Sequence, residues 1–473
     1  MQTLECDYLV IGAGAAAMAF VDVMLSEGDA TFIVVDNHAA PGGHWNDAYP
    51  FVRLHQPSSF YGVSSMELGS GRIDTYGSNK GYYELASGAE ILAYFDRVMR
   101  EVFIPSGRVQ YYPMHEYIGG HSDKVGNVRS VISGEEFQIN VRAKTVDSTF
   151  FKTSVPSTHQ RKYSNADGVT VIPPNDLAKK APHHKSYCVI GGGKTAMDTI
   201  VWLMDNGANA QDINWVCPRG SWLINRAGTQ PGQENFEASI GGFAAQMEAA
   251  ATAVSPEDLF LKLEAAGVML RIDEQEMPSM VHYATISKGE VDVLRQISNV
   301  IKGKRVNHIT EGGLVMQDGQ EIDLPAATLY IDCTASAVEF LDKTTKPMFT
   351  ETLITIQAVR APLVSYSAAV VGYVEAHYDD DKKKNALCTP IMLSDTMYEW
   401  MVSFFGNMLN QNAFSGEKDF QKWSLGNRLD PFGTVAKSAD MTDPKQAAIM
   451  MKLRDNAMPA AMNLQKLIAE GAD

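Results

Sequence analysis

The chain has 473 residues, with 40 Lys and Arg against 56 Asp and Glu, for a formal net charge of −16. That length accommodates two to four units at roughly 100–200 residues each, and the acidic balance excludes nucleic acid as a partner, because phosphate binding needs a basic face. Five widely spaced cysteines without a CxxC pair (Cys6, Cys188, Cys217, Cys333, Cys388) exclude a disulfide framework, a zinc ribbon and a CxxC dithiol centre. No stretch approaches the roughly 18–20 apolar residues of a membrane span. The N-terminus carries Glu5 and Asp7 and lacks the basic start of a signal peptide. A cytoplasmic protein with reduced thiols is expected.

One pattern occurs twice. The apolar run Tyr8–Ile11 leads into Gly12-Ala-Gly14-Ala-Ala-Ala17, a helix-like stretch Met18–Gly28 and a second strand Thr31–Val35. About 180 residues on, Tyr187–Ile190 leads into Gly191-Gly-Gly193-Lys194-Thr195-Ala196, a helix-like stretch Met197–Gly207 and a strand Ile213–Val216. Between the two, Arg108–Tyr117, Asn127–Ile132 and Glu136–Val141 alternate like short antiparallel strands. After the second come helix-like segments Gly242–Ala253, Pro256–Ala266 and Glu290–Ile301. Hairpin-like pieces follow around Gly312-Gly313 and Asp318-Gly319, then a strand Thr328–Asp332 and a mostly helical, Met-rich last hundred residues. The charge run Asp379–Lys384 reads as a solvated loop. The methionines Met450, Met451, Met458 and Met462 read as core packing or an interface, which leaves a homo-oligomer open.

Both repeats set a glycine loop between a strand and a helix, as a dinucleotide-binding turn requires. The first glycine (Gly12, Gly191) makes the tight turn and the second (Gly14, Gly193) lets backbone approach a pyrophosphate. The third small residue (Ala17, Ala196) lets the helix pack on the sheet. The helix N-terminus then offers free N–H groups and a positive dipole end to phosphate; Lys194, inside the second loop with Thr195, can touch an NADPH phosphate or simply start the helix exposed. The ends of the second strands separate the two sites. Asp36, 24 residues after Gly12, can accept from ribose hydroxyls and repels a 2′-phosphate. Arg219 stands in that place in the second repeat and can pair with a 2′-phosphate. The first site thus reads as an FAD (or NAD) binder and the second as an NADPH binder. The fold class is α/β: two Rossmann-like domains in the manner of glutathione reductase, plus a helical C-terminal region. An FAD domain spans 1–180 and 326–473, and an NADPH domain is inserted at 181–325.

Several elements resemble the flavin-containing monooxygenases and their Baeyer–Villiger relatives. Pro41-Gly-Gly43-His44-Trp45 is similar to the GGxW element beside FAD, and Tyr49-Pro50 follows it. Arg219-Gly-Ser221-Trp222 with Arg226 resembles the Arg-x-Gly-Ser-Trp…Arg run of the NADPH domain. Asp332-Cys-Thr-Ala335 with Phe340-Leu341 resembles the return to the FAD domain. Val370-Val-Gly372 and Asn385–Trp400 fall where the family packs a helix near the flavin. Two family features are replaced: Tyr163–Leu177 stands where the FxGxxxH fingerprint is expected, and Ser148-Thr-Phe150 where the first Ala-Thr-Gly linker is expected.

The resemblance implies FAD and NADPH as cofactors. NADPH would reduce FAD, and O₂ would be activated as a C4a-(hydro)peroxyflavin for oxygenation of a small organic substrate at N, S or a carbonyl. A non-oxygenating FAD-dependent NADPH oxidase or reductase is the alternative, and a non-catalytic nucleotide sensor a third reading. His55 and Gln56, in Arg53-Leu-His55-Gln56-Pro57, fall where the family places an Asn near the flavin. Both can hydrogen-bond there, His55 can also carry a proton near pH 7, and both can equally satisfy local backbone. Arg271 lies in a region comparable to that of the Baeyer–Villiger arginine, where an ordinary Arg–Asp surface pair is the competing assignment. Trp45 and Trp222 can stack on cofactors or fill the core. No metal site is expected.

Overall fold

A computed structural model describes residues 3–151, 153–336 and 345–471. Strand β1 (Thr3–Ile11) runs into helix α1 (Ala15–Glu27), which returns to β2 (Phe32–Asp36). Helix α2 (Gly88–Val98) opens on a capping box in which Ser87 and Glu90 satisfy each other's backbone N–H groups. Four strands follow: β3 (Val109–Pro113), β4 (His115–Gly119), β5 (Val125–Ser130) and β6 (Glu136–Asp147). The first sheet has the order β3-β2-β1-β6-β5-β4, and the short strand Leu353–Thr355 also pairs with β6. Only the β4-β5-β6 pairings are antiparallel. The sequence suggested antiparallel strands throughout 108–141, but β3 lies parallel to β2. β6 is twice the expected length, because its second half lines the parallel core beside β1.

The second half begins with β7 (Ser164–Asn165), β8 (Val171–Ile172), α3 (Leu177–Lys180), β9 (Tyr187–Ile190), α4 (Lys194–Asp205) and β10 (Ile213–Cys217). It continues with β11 (Leu223–Asn225), α5 (Phe236–Thr252), α6 (Pro256–Ala265), β12 (Met269–Leu270), β13 (Thr285–Ile286), α7 (Lys288–Leu294) and β14 (Asn299–Lys302). Then come β15 (Val306–Thr310), β16 (Gly313–Met316), β17 (Glu321–Asp323) and β18 (Leu329–Asp332). An all-parallel sheet has the order β14-β10-β9-β18-β8, so it draws strands from both sides of the 181–325 segment. The helix expected over 290–301 stops at Leu294, and Asn299–Lys302 pairs with β10 instead. Val300 and Ile301 are β-branched and suit a strand.

The C-terminal part is helical: α8 (Val364–His377), α9 (Asp381–Leu387), α10 (Met397–Phe414), α11 (Lys418–Gly426), α12 (Gly433–Lys437) and α13 (Pro444–Glu470). α1 is buried from Ala17 to Met24 because the sheet covers one side and α8 the other. Gly372 makes that approach possible, since a Cβ there would lie 3.0 Å from Phe20 O. The charge run is not a solvated loop. It starts α9, and Lys384, only 4% exposed, pairs with Glu375 at 2.6 Å, while Asp381 takes Lys144 at 2.5 Å. Three of the four methionines are not core either: Met451, Met458 and Met462 are exposed on α13, whose buried side is Ala460, Leu464 and Leu467. No described helix is long and apolar enough to cross a membrane.

Candidate functional site

The two glycine loops are built alike. Gly12 and Gly191 both have positive φ, +93° and +144°. Their N–H groups donate to Val35 O at 2.8 Å and Val216 O at 2.9 Å, which fixes each loop to the neighbouring strand. On the opposite side each loop meets the end of a third strand, with Ile11 beside Asp147 and Ile190 beside Asp332. Asp147-Ser-Thr149 and Asp332-Cys-Thr334 then fold in the same way, each Thr hydroxyl donating to its Asp Oδ1 at 2.7 Å. Ala17 and Ala196 are buried under their helices. The N-caps Gly14 and Gly193 supply no side-chain acceptor, so the N–H groups of Ala15 and Ala16 in α1 and of Lys194 and Thr195 in α4 can meet an anion, while Ala196 N–H donates to Gly193 O.

Around the first loop, Gly43 packs against Gly14: a Cβ on Gly43 would stand 3.0 Å from Gly14 Cα. Gly42 N–H donates to Ala13 O, and Asn46 Nδ2 to the carbonyls of Ala40 and Gly43, which holds the Pro41–Trp45 turn over the loop. Asp36 ends β2 and is 5% exposed. Its Oδ2 accepts from Ala13 N–H at 2.5 Å and its Oδ1 from His38 N–H at 2.7 Å, with His38 Nδ1 also at 2.7 Å. His38 Nε2 reaches Asp47 at 3.0 Å. The bond to Asp36 outweighs burial and raises the His38 pKa to about 9, so an imidazolium bridges the two carboxylates at neutral pH. Burial holds His44 down to about 4. Trp45 Nε1 donates to Tyr61 at 2.7 Å.

Around the second loop, Lys194 turns away from the phosphate position. Its ammonium pairs with Asp198 one turn along α4 and with Glu290 at 3.1 Å. Glu290 Oε2 also takes Arg226, 1% exposed, at 2.6 Å and caps α7 through Ser287 N–H. Burial opposes these charges, yet Asp198 and Glu290 outweigh it and raise Lys194, while Lys194 and Arg226 hold Glu290 well below the usual carboxylate range. Arg219 forms a two-pronged pair with Asp395, Nη1–Oδ2 3.0 Å and Nη2–Oδ1 2.9 Å, and His282 Nε2 lies 2.6 Å from the same Oδ1. Ser221 and Cys217 line a cavity of about 470 Å³, with Asp273, Glu276, Arg295 and Lys302 on its wall. Thr195 lies half-buried in the first turn of α4.

The segment after Gly43 links the two loops. Tyr49 donates to Asp198 Oδ2 at 2.8 Å, His55 Nε2 lies 3.9 Å from the same oxygen, and Arg226 Nε holds His55 O at 2.8 Å. Burial, aided by Lys194, pushes His55 down to about 4. His55 is therefore a neutral hydrogen-bonding group at pH 7, not the proton carrier that its ordinary pKa suggests. Gln56 and Phe60 open onto a largely apolar cavity of about 540 Å³ that also takes Phe243, Arg360, Trp400 and Phe404.

Arg271 is not on this wall. It pairs with Glu264 at 2.9 Å and stacks over Trp222 at 5.4 Å, whereas Asp273 pairs with Lys302. Trp222 is fully buried against Phe260, so it fills the core and presents no face to a cofactor. Phe340-Leu341 lies outside the described residues. Asp198 and Glu290 were missed by the sequence reading. Their signals were the i,i+4 spacing from Lys194 and the Ser287…Glu290 capping box.

No family model matches the chain. Over 429 residues it is 41% identical to Uncharacterized protein Rv2000 of Mycobacterium tuberculosis (strain ATCC 25618 / H37Rv), covering 91% of this chain and 78% of that protein. The figures are the same for Uncharacterized protein Mb2023 of Mycobacterium bovis (strain ATCC BAA-935 / AF2122/97). Among solved structures, ε-caprolactone-bound cyclohexanone monooxygenase in the Loose conformation superposes with a TM-score of 0.50 at 12% identity, covering 96% of this chain and 99% of that one.

Proposed function

The chain belongs to the family of the mycobacterial protein Rv2000 and has the fold of cyclohexanone monooxygenase, and on that premise we propose that it is an FAD- and NADPH-dependent monooxygenase of a small organic substrate. The observation that carries this reading is the pair of matched loops bridged by one segment that opens onto an apolar cavity. The fit to a dinucleotide is physical. At the first loop, positive φ at Gly12, the Gly14–Gly43 approach and the uncapped α1 N-terminus leave room and free N–H groups for a pyrophosphate. Asp36 Oδ2, with one donor, keeps a further acceptor lone pair for a ribose hydroxyl.

FAD is assigned to Gly12, Gly14, Ala17, Asp36, Gly43, His44 and Trp45. NADPH is assigned to Gly191, Gly193, Thr195, Ala196, Arg219 and Ser221. Lys194 and Trp222 act on that site only by supporting it. FAD held by these residues would supply hydride acceptance from NADPH and electron transfer to O₂. Neutral His55 and Gln56 orient groups by hydrogen bonding at the junction of the loops and the cavity. The aromatic wall excludes water.

The purified protein should carry FAD and consume NADPH and O₂ together, and isotope-labelled O₂ should place one labelled atom in an added ketone, sulfide or amine. Full recovery of the electrons as peroxide with every substrate class would leave the non-oxygenating oxidase, which the replaced fingerprint at Tyr163–Leu177 favours. A chain that takes up no FAD would overturn both.

A further inference from the structure

The cavity wall is apolar apart from a few groups, and one of them is out of balance. Glu237 and Lys452 at its rim are paired with Lys445 and Glu248. Arg360 has no ion pair and no side-chain hydrogen bond among the described residues. Its guanidinium lies 5.9 Å from the centroid of Phe243, which shares the wall. The backbone around it is fixed: Arg360 N–H donates to Ser367 Oγ at 3.1 Å, and Arg360 O accepts from Leu363 N–H at 2.7 Å, at the start of α8. Asp430, the acid whose charge bears on it, spends Oδ1 on the N–H groups of Phe432 and Gly433 and accepts from Ser424 at Oδ2. Burial lowers the Arg360 pKa although Asp430 and Tyr366 oppose the shift. An arginine nevertheless stays charged.

A partly buried guanidinium on an apolar wall without a counter-charge is costly, and a carboxylate can take two parallel hydrogen bonds from it. Phe243, Trp400 and Phe404 offer an aromatic bed for an apolar body, and about 540 Å³ is within the range that encloses a drug-sized molecule.

We propose that this cavity selects an amphipathic organic carboxylate, with the anionic end on Arg360 and the apolar body against Phe243, Trp400 and Phe404. The assignment rests on the monooxygenase reading only in making that carboxylate the substrate. Binding stands on the cavity alone.

The test is calorimetric titration of the FAD-loaded protein with decanoate and with its neutral isostere decanamide. Decanoate should bind about tenfold tighter or better, the margin of a charge-assisted hydrogen bond. Arg360→Gln should bring the two affinities together at unchanged FAD content, and Arg360→Lys should keep part of the preference. Equal affinities in the native protein, or no binding of either, would overturn the proposal. So would an Arg360→Gln protein with altered FAD content and an unchanged preference, which would return Arg360 to the flavin. Should the chain take up no FAD, the flavoprotein reading fails, while the decanoate preference of the same chain still decides the cavity.

Discussion

The two glycine loops share their backbone down to the Thr–Asp hydrogen bond at the third strand, yet their surroundings differ in kind. The first starts its helix on small, neutral residues, Ala15 and Ala16, and a glycine turn lies over it. Its charges come from the end of β2, where Asp36 accepts from Ala13 N–H within the loop and joins His38 and Asp47 in a chain. The second starts its helix on Lys194, locked with Asp198, Glu290 and buried Arg226. Repetition of a backbone therefore does not repeat its energetics. The first loop depends on close packing, and the second also depends on a buried ionic cluster that joins α4, α7 and the His55 segment.

That contrast is open to direct test. Glu290→Gln strands buried Arg226 and leaves Lys194 to Asp198 alone, and losing one partner of a buried pair costs about 3–5 kcal/mol. Denaturant unfolding should show it, and adding Arg226→Met, which removes the stranded charge, should recover part of it. The glycines come next. A Cβ on Gly191 would sit 2.5 Å from Cys333 O, which is backbone and cannot rotate away, at a φ that suits only glycine. Gly191→Ala should cost about 2–4 kcal/mol. In Gly12→Ala the obstacle is the Ser148 hydroxyl at 2.7 Å, a side chain that can turn. A cost of about 1–3 kcal/mol is expected there, eased by Ser148→Ala. Equal costs at the two glycines, with no rescue by Ser148→Ala, would mean that the loops are held alike.

The sequence already displayed what depends on local pattern. Strand, glycine turn and helix follow from runs of apolar residues and from the small Ala17 and Ala196, and all appear within a few residues of their expected places. What it concealed depends on distant partners. Lys194 looked like a phosphate ligand until Glu290, 96 residues away, took its charge. The Asp379–Lys384 run looked solvated because nothing local showed that Glu375 and Lys144 would enclose it. Arg360 had no motif at all, and only the wall around it gives it meaning.

A smaller effect separates the loops by pH. The His38 pKa is raised from its ordinary 6.5 to about 9 by Asp36. Its stabilising contribution is therefore complete below about 6.5 and is lost as pH rises through about 9. Stability, and FAD retention with it, should fall across that window in the native chain, and His38→Gln should flatten the slope. NADPH binding at the second loop should not follow it.

The smallest effect concerns the end of the second loop. To hold a 2′-phosphate, Arg219 must give up Asp395, an acid whose pKa the pairing lowers to about 2 against the effect of burial. The pair therefore persists through any working pH and competes with the nucleotide. Both groups are partly exposed, so the competition is worth at most about 1 kcal/mol. Asp395→Asn should then raise the preference for NADPH over NADH by up to about fivefold, while Arg219→Ala should abolish it. If neither substitution moves the ratio of kcat/KM values, the guanidinium is a strut between β10 and α10, and the acid at the first loop has no functional opposite at the second.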